Sequence, residues 1–105
     1  MSKNRIATIK NRINKIKSEL EKIGDMRPGS LTKQYRDPEN RIGAYYQISY
    51  THEMKSRTEY VRSEFVKEIK SQVKNYKRYK KLNSELISLS IEHSKLTMKL
   101  KQENC

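Results

Sequence analysis

Isoleucine and leucine recur along the first part of the chain at spacings of three and four: Ile6, Ile9, Ile13, Ile16, Leu20 and Ile23. Both core positions of a heptad are filled, so residues 3–24 are predicted to form a helix with one apolar seam. Arg5, Lys10, Arg12, Lys17 and Glu19 flank that seam, and Gly24 supplies a stop signal. A lone helix of this length is marginal in water, so the seam demands a partner.

The periodicity then disappears. Residues 25–43 hold both prolines, Pro28 and Pro38, together with Gly29 and Gly43. Arg27-Pro28-Gly29-Ser30 and Asp37-Pro38-Glu39-Asn40 read as turns, and the whole segment is expected to be irregular. Residues 44–61 change pattern again. Tyr45, Tyr46, Ile48, Tyr50 and Thr51, then Thr58, Tyr60 and Val61, favour strands. A β-hairpin is predicted, connected around His52-Glu53-Met54-Lys55-Ser56 by a turn lacking Asn-Gly or Asp-Gly. Tyr46, Tyr50 and Tyr60 are expected to cover the following helix, with Tyr45 on the opposite face.

Ser63 is a candidate N-cap for a second, longer helix over residues 63–102. Its seam runs through Val66, Ile69, Val73, Tyr76, Tyr79, Leu82, Leu86, Leu89, His93, Leu96 and Leu100. Spacings of three at Tyr76–Tyr79–Leu82 break the heptad like a stammer. Ile87, Ile91 and Met98 add a second apolar stripe. The expected fold is therefore α+β in a single domain: heptad helix, irregular segment, β-hairpin, long helix. The helices are expected to pair antiparallel as a coiled-coil-like arm with the hairpin at one end. Because they differ nearly twofold in length, the surplus seam predicts a homo-oligomer joined through residues 82–100.

Charge changes the picture from fold to partner. The chain has 105 residues, a formal net charge of +12 and a mean hydropathy of −1.05. Residues 1–24 carry net +5 and residues 62–81 net +6, whereas residues 82–105 are neutral. Seven positive charges fall between Lys67 and Lys81. Lys67, Lys70, Lys74, Lys77 and Lys81 share one helical face beside the apolar seam, and aligned like charges cost helix stability. A polyanion is the partner that offsets such repulsion. DNA or RNA, bound mainly through phosphates, is expected at Lys67, Lys70, Lys74, Lys77, Arg78 and Lys81, with Arg57 and Tyr45 from the hairpin. A solvated face that only keeps an oligomer soluble is the plainer reading of the same stripe.

Other chemistry finds little footing. Cys105 is the only cysteine, so no intrachain disulfide forms. His52, His93 and Cys105 offer no paired ligands, and no metal or other cofactor is expected. No phosphate-cradling glycine loop or nucleophile triad is present, which argues against an enzyme. No apolar run reaches the roughly 20 residues of a membrane span, the N-terminus lacks a secretory core, and a cytoplasmic location is expected.

Three runs also carry a resemblance: Gly43-Ala44-Tyr45-Tyr46-Gln47-Ile48-Ser49-Tyr50, Arg57-Thr58-Glu59-Tyr60-Val61 and Val73-Lys74-Asn75-Tyr76-Lys77-Arg78-Tyr79. Together with Gly29-Ser30-Leu31 they resemble a small uncharacterised prokaryotic family with a Tyr-Tyr strand, a Tyr-Val strand and an Asn-Tyr helix. Genes of that family often lie near transposase or plasmid genes. The resemblance implies an accessory protein of a mobile element. Many members carry clustered cysteines that this chain lacks between Tyr35 and Ile42, so no metal role carries over. A protein-binding module of a mobile element, antitoxin-like or anti-defence, is the alternative; a structural coiled-coil oligomer is a second.

Overall fold

The computed structural model describes residues 2–103; Cys105 lies outside the described residues. In chain order the elements are helix α1 (Ser2–Lys22), strands β1 (Ser30–Asp37), β2 (Ile42–His52) and β3 (Lys55–Val61), a 3₁₀ turn at Ser63–Phe65, and helix α2 (Val66–Glu103). The fold class is α+β. The chain divides into two compact units, Met1–Ile23 with Arg78–Cys105, and Gly24–Lys77.

In the helical unit the heptad seam is the core. Ile9, Ile13 and Ile16 are buried, as is Leu82 of α2. Ile6, Leu20 and Ile23 are half-buried. Two ion pairs set the direction of packing. Arg12 Nε and Nη2 donate to Glu85 Oε1 and Oε2 at 2.8 and 3.0 Å. Arg5 Nε and Nη2 donate to Glu92 Oε1 at 3.1 and 3.0 Å. The arginines ascend by one heptad while their glutamates descend by one, so the helices run antiparallel. The bidentate hydrogen bond from Arg12 holds the Glu85 carboxyl below its usual range.

These pairs bring α1 alongside α2 as far as Glu92. Up to that point the seam expected to stand free has α1 beside it, and Leu86 and Leu89 are half-buried. The second apolar stripe remains open, with Ile87, Ile91 and Met98 each more than half exposed.

The other unit departs from expectation in its first half. Residues 25–43 are not irregular, because Ser30–Asp37 forms a third strand and the sheet has the antiparallel order β1-β2-β3. Leu31 and Tyr35 pair with Ile48 and Ala44 of β2. Two turns bracket the strand. After Pro28, Gly29 adopts φ +140°, and a Cβ there would lie 2.8 Å from Ile48 Cγ1, so only glycine lets the chain pass this close. After Asp37, the carboxylate accepts from the Asn40 side chain at 2.9 Å, and Asp37 pairs with Ile42 across the turn.

The β2–β3 connection is tighter than the five residues predicted. His52 pairs with Lys55, leaving Glu53 and Met54 alone in the turn with φ of 51° and 67°. Positive φ at both positions is the type I′ pattern that matches strand twist. The register that follows puts Tyr60 opposite Gln47 and Val61 opposite Tyr46. Tyr60 therefore faces away from α2, against expectation, and is 64 % exposed. Ile48 takes the central place instead. It is fully buried and packs with Val61, Val66 and Val73, with Leu31, Tyr46 and Ile69 around them.

Helix α2 also starts differently. Arg62 caps the 3₁₀ turn and makes no side-chain cap hydrogen bond; its carbonyl accepts from Phe65 N–H at 2.9 Å. Ser63 lies inside the turn rather than capping an α-helix. The segment before β1 is tied to α2 at two points. Arg27 N–H donates to the Gln72 carbonyl at 3.1 Å, and Asn75 Nδ2 donates to the Asp25 carbonyl at 2.9 Å.

Met54 is 99 % exposed, so replacing it removes backbone strain without removing packing. Met54→Gly is expected to stabilise the protein by about 1 kcal/mol, since a left-handed residue with a Cβ costs roughly 1–2 kcal/mol. Thermal denaturation checks this: the midpoint rises. An unchanged or lower midpoint contradicts it.

Candidate functional site

The first three turns of α2 have one face committed to the sheet. Val66, Ile69 and Val73 occupy it, which fixes the rotation of the helix and hence where its lysines point. At about 100° per residue, Lys67, Lys70, Lys74 and Lys77 fall within an arc of about 80° beside that face. All four are exposed.

Three of them converge. Lys70, Lys74 and Lys77 line a groove of about 320 Å³ with Val73 of α2 and Ser30 and Leu31 of β1. The three lysines supply the charge, and Val73 and Leu31 supply the apolar part of the lining. No carboxylate is among these lining residues. Glu68 instead lines a separate depression with Gly24, Asp25, Ser71, Gln72 and Asn75. The groove is thus a cationic cleft, suited to an anion that follows the helix for two turns.

The other sequence-predicted residues do not line this groove. Lys67 lies beside the groove without lining it. Arg57 pairs with Tyr50 on the helix-covered face of β3, two strand spacings, about 10 Å, from β1. Tyr45 is two residues from Gln47 on the opposite, open face. Arg57 and Tyr45 therefore do not share a surface. Arg78 and Lys81 belong to the helical unit. There Arg78 is exposed, and the charge of Lys81 helps hold the Glu85 carboxyl low.

Several contributors were missed because β1 was missed. Ser30 and Leu31 are in the groove, and Lys33 places its ammonium 5.7 Å from the centre of the Tyr35 ring. The alternation of Leu31 and Tyr35 was the available signal. It was weak beside the proline and glycine turns at both ends.

A polar cluster next to the core was also invisible in the sequence. Arg27 Nη2 donates to Glu59 Oε2 at 2.6 Å, Tyr50 OH donates to Glu59 Oε1 at 2.6 Å, and the guanidinium lies 5.1 Å from the Tyr50 ring centre. The hydrogen bond from Arg27, then that from Tyr50, lowers the Glu59 carboxyl. The bond to Glu59 raises the Tyr50 hydroxyl in turn. Both directions follow from stabilising the carboxylate and the neutral phenol together.

Among the described residues no three His, Cys, Asp or Glu side chains gather as a metal site, and no helix is long and apolar enough to cross a membrane. His93 is half-buried on the α2 seam, and its carbonyl accepts from Thr97 Oγ1 at 2.8 Å. No family model, curated protein or solved structure matches the chain.

The Glu59 cluster sets an acid limit. A carboxyl lowered by folding contributes stability that is full above its ordinary value of 4.5 and is lost as pH falls through the lowered, folded value. Glu59→Gln should melt below the wild type near neutrality, and the gap should close as pH falls toward 3. Thermal melts across that range check it; a gap independent of pH contradicts it.

Proposed function

We propose that this chain is a non-enzymatic, nucleic-acid-binding accessory protein that holds DNA or RNA mainly by its phosphates. The observation that carries the reading is the convergence of Lys70, Lys74 and Lys77 on one groove with no carboxylate in its lining. Repulsion between like charges three and four residues apart destabilises a helix, and a phosphate chain relieves it by displacing counterions. Contacts of this kind fix position and not sequence. Lys67 extends the cationic face at its start. The net charge of +12 supports fast, salt-sensitive association. A cytoplasmic setting, and service to a mobile element as the family resemblance implies, complete the proposal.

A second reading rests on a separate observation. Ile87, Ile91 and Met98 leave an exposed apolar stripe on the helical unit, which supports a protein contact through residues 82–100. A second copy of the chain is one occupant. A foreign protein with an acidic surface is the other, since Lys95, Lys99 and Lys101 lie around Met98.

Fluorescence anisotropy with labelled DNA and RNA near about 150 mM salt tests the main reading. Lys70→Glu, Lys74→Glu and Lys77→Glu together should abolish binding, with helicity by circular dichroism unchanged. Milder Gln substitutions should flatten the plot of log affinity against log salt by about 0.7 to 0.9 per lysine removed. Binding that survives the triple reversal removes the groove as the site. For the second reading, Ile91→Lys should shift the sedimentation profile to monomer; a profile unchanged by the substitution contradicts a dimer on that stripe.

A further inference from the structure

We propose that the open face of the sheet is a base-stacking platform, so that the chain prefers unpaired nucleic acid over duplex. The inference rests on the phosphate-binding reading above and names the form of nucleic acid that it takes.

The open face is defined by register. Leu31, Ile48 and Glu59 lie on the helix-covered side, so Thr32, Gln47 and Tyr60 lie on the other. Along each strand every second residue joins them. The row continues with Gln34 and Tyr45 on one side and Ser49 on the other. Arg36 is the one charged side chain at these strand positions, in a chain that is 34 % charged. Thr and Tyr suit an outward strand position, but the sheet's other charges, Lys33, Lys55, Arg57 and Glu59 among them, fall on the face of Ile48. Here charge is withheld from one face and concentrated in the neighbouring groove.

What replaces charge suits bases. Tyr60 is 64 % exposed. Its partner across the ladder is Gln47, so Tyr45, two residues along β2, is its diagonal neighbour on the same face. Diagonal neighbours stand about 7–8 Å apart, within reach of each other's rings and of one ligand. Aromatic rings on a sheet stack on splayed bases, and amide and hydroxyl side chains meet their Watson–Crick edges. Gln34 and Gln47 supply the amides. Ser49 and Thr58 supply hydroxyls, already bonded to each other at 3.2 Å. A duplex keeps its bases stacked inside and offers this face nothing.

Groove and platform are continuous. Ser30 lines the lysine groove and also heads β1, where it pairs with Ser49 of the open face. Since β1 is an edge strand, only one strand separates the ammonium groups from the row of Gln47 and Tyr60. A single strand can lay phosphates in the groove and turn bases over that edge.

The test compares oligothymidylate of about twelve nucleotides, within the span of single-strand-binding folds, with a duplex of equal length. Anisotropy gives affinity, and tyrosine emission, undisturbed because the chain has no Trp, reports stacking by quenching. The wild type should bind the single strand more tightly. Tyr60→Ala, an exposed position, and Tyr45→Ala should each weaken single-strand binding about 5- to 100-fold and leave duplex binding unchanged. Tyr60→Phe should restore it. Equal affinity for both forms, or equal losses on both, overturns the platform while the lysine reversal can still uphold phosphate binding. No binding of either form by the wild type overturns both.

Discussion

Ile48 is the point on which the sheet unit depends. It is fully buried at the centre of β2 and meets Val61, Val66 and Val73, so the sheet is held to α2 through one side chain's surroundings. Gly29 has no Cβ because Ile48 occupies the space. The lysines of α2 lie where they do because Val66 and Val73 have been claimed by this contact. Truncating a buried isoleucine to alanine costs roughly 2–5 kcal/mol, a large share of the stability of a small domain. The cationic groove is therefore a by-product of packing: orientation is fixed by the core, and charge occupies the adjacent angles.

The same helix serves two cores built on different rules. From Val66 to Val73 its apolar positions meet a pleated sheet. From Leu82 onward they meet a heptad helix. The run of threes at Tyr76–Tyr79–Leu82 brackets the division between the units, at Lys77 and Arg78. What reads as a flaw in a coiled coil is the place where one kind of partner gives way to another.

The helices were legible because long periodic segments carry redundant information. Six apolar residues announce α1, and no breaker interrupts α2. The lysine face was legible for the same reason. The sheet was legible only where β-branched and aromatic residues are dense. In β1 a lysine stands between Leu31 and Tyr35, and turn residues at both ends outweighed them. The Glu53-Met54 turn was hidden because its residues are poor formers of the conformation they adopt. That two-residue turn in turn decided which face Tyr60 takes, so one misread connection moved a tyrosine from the core to the surface. The Arg27–Glu59–Tyr50 cluster joins residues far apart in sequence, and no local pattern encodes it.

The charge order of the helical unit excludes more than it stabilises. Arg5 meets Glu92 and Arg12 meets Glu85. Sliding α1 by one heptad in one direction would keep an Arg12–Glu92 pair but would set Arg5 against Lys99 and Glu19 against Glu85. Sliding it the other way would set Arg12 against Arg78. An isoleucine ladder is nearly indifferent to such slips, whereas like charges face to face are not. Hydrophobicity brings the two helices together, and the order of sign favours the observed alignment over its one-heptad neighbours.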